Sequence, residues 1–288
     1  MIGLSCKSIN SESSDDPALS DIRRQKVYSV KEYRFAATLD EAYQLLQASP
    51  RSALFAGGTW MRLGKRAIST AIDLSRLGLD RITETDAAVE IGACVTLRQL
   101  ETEACLKTLF GGVLSDCVSH IVGVQFRNMA MIGSSVYSRF GFSDLITALL
   151  ALEAEVQLFH AGAMPLSDFL RHPPKRDILT CVRVPKSGRR AVYLSQRRTE
   201  TDFALLTVCA SRTDKGDWLL SVGARPGVAA LCPEAARLMQ LGDIEAAAKA
   251  ASDTMTYDDN TRASADYRRA LAAVLTRRAL TALQEVKA

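Results

Sequence analysis

Residues 52–64, "SALFAGGTWMRLG", end a short apolar run with two glycines and a threonine. The segment "ALFA" predicts a buried β-strand, and Gly57-Gly58-Thr59 predicts a tight turn directly after it. Glycines at such a place can let the backbone adopt a positive φ angle. Because glycine has no side chain, a ligand could also contact the main chain directly at these positions. These two explanations of the glycines must be distinguished.

A second turn of small residues follows another apolar segment, at Ile132-Gly133-Ser134-Ser135. Turns of this kind can point successive main-chain N–H groups into one concavity, which attracts phosphate. Hydroxyl groups on Thr59, Ser134 and Ser135 would add donors. For one glycine pair alone, a tight turn is the simpler interpretation, because neither segment matches G-x-G-x-x-G or the Walker pattern.

Composition indicates a globular protein without a membrane span. Of the 288 residues, 48% are hydrophobic and 24% are charged, and no apolar run approaches the ~18 residues that cross a bilayer. Residues 1–26 have no signal-peptide pattern and predict a disordered or extended leader. The formal charge of +4 is dispersed, which argues against nucleic-acid binding.

The residue types that ligate metals or perform acid–base catalysis are not spaced in any pattern that suggests a metal site or a catalytic site. Seven cysteines include no C-x-x-C pair, and only three histidines occur. This pattern predicts reduced, mostly buried thiols in a cytoplasmic protein and no metal site on this chain. No paired carboxylates or nucleophile–base arrangement suggests a catalytic residue.

The order of elements predicts an α+β protein rather than a regular β-α-β alternation. We expect one domain over residues 27–172, with subdomains at about 27–80 and 81–172. The segment "RHPPKRD" marks a boundary near residue 173. Beyond it, over 173–288, four segments predict an antiparallel sheet followed by helices: "ILTCVRVP", "AVYLSQR", "DFALLTVCASR" and "WLLSVGAR".

A series of segments resembles one family in order and spacing. They are "ALFAGGTW", "AIDLSRL", "AAVEIGACVTLRQLE", "VGVQFRNMAMIGSS", "SDLITALLALEAEVQL", "RRTETDFALLTVCASR" and "DDNTRASADYRRALAAVLTRRAL". This series is similar to the FAD-binding, or medium, subunit of molybdenum hydroxylases, the xanthine dehydrogenase and carbon monoxide dehydrogenase family. The resemblance covers nearly everything after the leader.

The resemblance implies a vanillyl-alcohol-oxidase-type (PCMH-type) flavin fold, in which FAD lies between two α/β subdomains beside a C-terminal domain. It implies electron transfer from an iron–sulfur subunit, through FAD, to NAD⁺ or another acceptor. A further subunit would carry molybdopterin, so that molybdopterin and 2Fe-2S clusters lie on partners only. The FAD-binding residues that it implies are Ala56, Gly57, Gly58, Thr59, Ile132, Gly133, Ser134, Ser135, Asp144 and Leu179.

Within that set, the two turns would hold the diphosphate, Asp144 the ribose or ribityl end, and Leu179 the isoalloxazine ring. Simpler interpretations are a helix N-cap for Asp144 and strand core for Leu179. Two departures stand out: Ser134-Ser135 replaces the usual Gly-Asn, and Trp60 follows the threonine. The serines motivate an alternative function, a flavin-free scaffold that keeps the fold. A stand-alone flavin oxidase would need catalytic residues that the sequence does not show.

Overall fold

The computed structural model describes residues 29–59, 61, 66–172 and 176–285. The expected leader at 1–26 and Trp60 lie outside these residues. The described chain builds three sheets of three, five and four strands. Helices accompany each sheet, which confirms the predicted α+β class.

The first unit is a small parallel sheet with one helix, α1, packed on one face. Thr38 begins α1 by accepting a hydrogen bond from the Glu41 N–H at 3.1 Å. The Glu41 carboxylate accepts a hydrogen bond from the Ala37 N–H instead of the Thr38 N–H, so the Thr38–Glu41 pair forms only half of a capping box. The strand order is β1-β3-β2. The elements are β1 Ser29–Phe35, α1 Leu39–Ala48, β2 Ala53–Phe55 and β3 Ala67–Asp73.

The second unit is an antiparallel sheet of five strands with the order β4-β5-β8-β6-β7. Its main apolar core collects side chains from this sheet and the helices that cover it. The strands are β4 Ile82–Glu84, β5 Ala88–Gly92, β6 Glu155–Leu158, β7 Gly162–Pro165 and β8 Leu179–Pro185. The helices are α2 Leu97–Thr102, α3 Val113–Ser119, α4 Val124–Arg127, α5 Ile132–Tyr137, α6 Asp144–Ala151 and α7 Leu166–Arg171.

The third unit is an antiparallel sheet of four strands with the order β12-β11-β10-β9. Helices α8, α9 and α10 pack on one of its faces and enclose a second apolar core. The strands are β9 Arg190–Gln196, β10 Leu206–Arg212, β11 Trp218–Gly223 and β12 Ala230–Leu231. The helices are α8 Pro233–Gln240, α9 Ile244–Thr254 and α10 Ala265–Glu285.

One strand prediction was wrong. The segment "ILTCVRVP" was expected in the C-terminal sheet, yet β8 pairs with β5 and β6 in the central one. Local sequence cannot reveal this, because either sheet would accept an apolar strand and only long-range pairing selects between them. The domain boundary near residue 173 stays a prediction.

Helix α6 joins the second and third units through small hydroxyl side chains. The hydroxyl groups of Thr147 and Thr207 lie 2.9 Å apart, and the Ser221 hydroxyl donates to the Thr147 carbonyl at 2.6 Å. A Cβ atom on Gly223 would fall 2.1 Å from the Thr147 Oγ1 atom. Small residues on this sheet face therefore allow the buried helix to approach closely.

None of the helices in the described ranges is long and apolar enough to cross a membrane.

Candidate functional site

The two small-residue turns, one from the first unit and one from the second, line one cleft, although more than 70 residues of sequence separate them. The cleft contains about 700 Å³ of empty space including its open mouth. Its lining includes Ala56, Gly58 and Thr59 from the first turn and Gly133 and Ser134 from the second. Leu179, at the start of β8, also lines it.

The first turn has main-chain donors without protein partners. Gly57 and Gly58 have φ angles of +67° and +61°, which glycine adopts without the steric cost of a Cβ atom. Among the described residues, no group accepts a hydrogen bond from the N–H groups of Gly57, Gly58 or Thr59. Three successive N–H groups without a protein acceptor are an arrangement that can bind an anion, as nests do.

The space that a side chain would need at these two glycines is occupied by other protein atoms rather than left open for a ligand. A Cβ atom on Gly57 would lie 1.9 Å from the Met129 carbonyl oxygen, and one on Gly58 would lie 2.5 Å from the Phe55 ring. Both distances are far inside van der Waals contact. Glycine is therefore required at both positions by backbone conformation and by packing.

The second turn is built differently, because it opens helix α5. The Ile132 N–H donates to the Val95 carbonyl and the Gly133 N–H to the Ala93 carbonyl, both at 2.9 Å. In the part of the chain that the structure describes, the Ser134 N–H has no acceptor. One free main-chain donor remains here, against three in the first turn.

The hydroxyl groups of the second turn are also engaged. Ser134 Oγ and Ser135 Oγ each donate to the Met131 carbonyl at 2.9 Å. Gly133 is required by packing, since its Cβ atom would lie 2.6 Å from the Ala93 carbonyl oxygen. Ile132 is fully buried in the core and offers neither its side chain nor its N–H group to the cleft.

Asp144 does not line this cleft. It is the first residue of α6, and Ser143 rather than Asp144 is the N-cap, which corrects the simpler interpretation. Asp144 and Ser135 line a neighbouring cavity, which Phe142 and Phe203 also line. Because Ser134 faces the cleft and Ser135 the cavity, α5 stands between the two spaces.

The Asp144 carboxylate already has two protein partners. It accepts hydrogen bonds from the Tyr193 hydroxyl and the Arg197 guanidinium. Burial raises the pKa of Asp144, and the two partners only partly offset this effect. A role of Asp144 at the ribose or ribityl end therefore stays a prediction, as does the contact of Leu179 with the isoalloxazine ring.

Several lining residues escaped the sequence reasoning although they lie in the segments that carried the resemblance. Leu74 belongs to "AIDLSRL", and Ala93 and Cys94 belong to "AAVEIGACVTLRQLE". Burial raises the pKa of the Cys94 thiol to about 11, with Asp73 and Asp80 adding to the effect, so the thiol is neutral near pH 7. The described lining residues carry no charge. An anion in this cleft would therefore be bound by N–H and hydroxyl donors.

The architecture defines the class of protein. The fold matches a carbon monoxide dehydrogenase from Hydrogenophaga pseudoflava with a TM-score of 0.79 at 24% identity, covering 87% of this chain and 96% of that one. It matches quinoline 2-oxidoreductase from Pseudomonas putida 86 with a TM-score of 0.79 at 20% identity, covering 87% and 95%. These matches confirm the expected flavoprotein-subunit fold.

The chain belongs to the family of FAD-binding domains in molybdopterin dehydrogenases, whose model matches residues 27–187. The nicotine 6-hydroxylase medium subunit of Paenarthrobacter nicotinovorans is 25% identical over 273 residues, 86% of this chain and 95% of that protein. The xanthine dehydrogenase FAD-binding subunit of Escherichia coli O157:H7 is 23% identical over 283 residues, 88% and 96%. The resemblance to molybdenum hydroxylase medium subunits is confirmed, and the chain is an FAD-dependent oxidoreductase subunit.

Proposed function

We propose that this chain holds FAD across the cleft between the two turns and serves as an electron-transfer subunit of a multi-subunit molybdenum hydroxylase. Electrons would arrive from an iron–sulfur subunit and leave to NAD⁺ or another acceptor in the cytoplasm. A third, molybdopterin-binding subunit would act on the organic substrate. The names of the relatives, a medium subunit and an FAD-binding subunit among them, support this arrangement.

One observation carries the proposal: distant turns converge on one uncharged cleft while their free N–H groups lack protein acceptors. Leaving buried donors unpaired is unfavourable unless a ligand or water satisfies them. A diphosphate offers several acceptor oxygens to such a donor set. The residues present therefore fit FAD, with Gly57, Gly58, Thr59 and Ser134 holding its diphosphate.

Bound FAD supplies the redox chemistry, and the protein supplies binding, orientation and electrostatics. Thr59 lines the cleft, and no described group forms a hydrogen bond with its hydroxyl, which leaves that hydroxyl available as a further donor. Apolar side chains such as Leu54, Leu74 and Leu179 close the remaining walls. They exclude water and so strengthen the hydrogen bonds made beside them.

The visible absorption spectrum of the purified chain tests FAD binding. We expect a flavin band near ~450 nm and release of FAD on denaturation. A folded, colourless protein that does not take up added FAD would contradict the proposal. Bleaching by NADH, or by the reduced iron–sulfur partner alone, would then identify the electron acceptor and donor.

A flavin-free scaffold is the second candidate, favoured by the engaged donors of the second turn. Under that alternative, the wild-type chain binds no FAD. The double substitution Ser134→Gly with Ser135→Asn would then confer binding. Titration of both proteins with FAD separates the two functions.

A further inference from the structure

Arg176 connects the first unit to the segment that leads into β8. Its Nη2 atom lies 2.8 Å from the Ser49 carbonyl oxygen and 3.1 Å from that of Ser52. Nη2 also reaches the Leu46 carbonyl, and Nη1 lies 3.2 Å from the Pro50 carbonyl oxygen. In return, Gln47 Nε2 donates to the Arg176 carbonyl at 2.6 Å.

The C-terminal end of α1 explains why an arginine suits this position. The last carbonyl groups of a helix have no partners within it, and the end carries partial negative charge. The last turn of α1 contains no basic residue. Arg176 supplies both donors and positive charge from a segment more than 120 residues away.

The same contacts join the two walls of the cleft. Residues 49–52, whose carbonyl groups Arg176 binds, run directly into β2 and the first turn. Residues 176–178 run directly into Leu179 on the opposite wall. Asp177 is buried, and its carboxylate accepts hydrogen bonds from the His160 and Ala161 N–H groups between β6 and β7, so Arg176 is anchored to the second unit.

We propose that Arg176 is a positioning residue that sets the separation of the cleft walls and thereby the affinity for FAD. The proposal rests on the function proposed above, in which the cleft holds FAD. Arg176 does not line the cleft, and it acts through the 49–52 segment and β2. Removing it lowers the population of the binding-competent arrangement, and apparent affinity falls in proportion.

The substitution Arg176→Met tests this inference by removing the guanidinium while keeping an unbranched side chain. We expect the Kd for FAD to rise about tenfold. Arg176→Lys should recover part of the affinity, because an ammonium group keeps the charge but cannot reach all four carbonyl groups. Kd is measured by quenching of FAD fluorescence, well below the unfolding temperature of each variant.

Thr38→Ala is the matched control, since it weakens α1 from its other end. Loss of this N-cap lowers the stability of the protein, yet it leaves the Arg176 contacts in place. We expect Thr38→Ala to lower the unfolding temperature without changing the Kd for FAD. An equal rise of Kd in Thr38→Ala and Arg176→Met would overturn the positioning role.

Alkylation of Cys94 in the FAD-free protein gives a readout that does not require FAD binding. Cys94 lines the cleft and is only 5% exposed. Arg176→Met should speed its labelling about fivefold through local opening, as followed by mass spectrometry of the Cys94 peptide. Faster labelling in a protein that binds no FAD would contradict the proposed function alone, whereas unchanged labelling would overturn the inference about Arg176.

Discussion

The two turns that face the cleft have similar sequences and different structures. Ala56-Gly57-Gly58-Thr59 bends through two left-handed glycines and leaves three N–H groups without acceptors in the described chain. Ile132-Gly133-Ser134-Ser135 is the first turn of a helix, and its leading N–H groups bind the Val95 and Ala93 carbonyl groups. The first turn therefore keeps its main-chain donors free of protein acceptors, whereas the second uses its leading donors to join α5 to the segment after β5.

The largest expected effect comes from Gly57→Ala. The φ angle of +67° and the 1.9 Å approach to the Met129 carbonyl oxygen leave no room for a methyl group. The left-handed conformation alone costs about 1–3 kcal/mol, and relief of the clash must displace the turn. We expect FAD binding to weaken at least about thirtyfold, or roughly 2 kcal/mol, by fluorescence titration.

Gly242→Ala is the control for Gly57→Ala. Gly242 has a φ angle of +79° and no atom within 4 Å of the added Cβ atom, so it carries the conformational cost without the clash. It should leave the Kd for FAD unchanged. Equal affinities of the two variants would show that the first turn does not hold the diphosphate.

In the second turn, Gly133→Ala should lower the stability of the protein. The added methyl group would lie 2.6 Å from the Ala93 carbonyl oxygen and 2.7 Å from the Ala93 Cβ atom. Overpacking of this kind costs about 1–3 kcal/mol, which urea unfolding of the FAD-free protein will measure. Gly123→Ala, which meets only the flexible Gln125 side chain, is the control. A loss of FAD affinity without a loss of stability would reverse our assignment of the two turns.

The ion pair between Glu101 and Arg127 holds the segment that leads into the second turn. It should make the stability of the protein depend on pH. Arg127 is buried, and its Nε atom lies 2.7 Å from Glu101 Oε2. Burial alone would raise the pKa of Glu101, but hydrogen bonds from Arg127 and Arg98 outweigh it and hold the pKa below the usual 4.5. The unfolded chain therefore binds this proton more readily than the folded one.

Because the folded pKa is lowered, the stabilisation is complete above about pH 5 and disappears as pH falls through the folded pKa. Glu101→Gln should cost about 1–2 kcal/mol at pH 7 and progressively less in acid, as followed by thermal unfolding. Glu245→Gln breaks a similar but exposed pair with Arg277 and serves as control. A Glu101→Gln deficit that is constant between pH 7 and pH 3 would contradict this role.

The smallest effect is expected from Ser134→Gly with Ser135→Asn. The two hydroxyl groups donate to the Met131 carbonyl, and the free Ser134 N–H belongs to the main chain, so a glycine keeps it. We expect the Kd for FAD to change by no more than about threefold, within the net contribution of one hydrogen bond. A gain of binding that the parent lacks would instead establish the scaffold alternative.

Much of the architecture could be predicted from the sequence because its determinants are local. Thr38 and the Thr96–Gln99 capping box begin their helices through hydrogen bonds between residues three apart, and the buried α6 follows from its continuous apolar run. The strand at Leu179–Pro185 was assigned to the wrong sheet because strand pairing depends on distant partners. The place of Asp144 at the ligand stays a prediction; what the sequence did not reveal is that its carboxylate accepts hydrogen bonds from Tyr193 and Arg197.

The sequence by itself determined the family, the α+β class and the two turns of small residues, since these follow from local composition, spacing and ordered motifs. The tertiary structure alone decided that both turns meet at one cleft and which of their N–H groups stay free. It also decided that the Arg176 guanidinium forms hydrogen bonds with carbonyl groups at the C-terminal end of α1. Such outcomes depend on which distant carbonyl groups reach each donor, and hydrogen bonds across more than a hundred residues leave no local pattern.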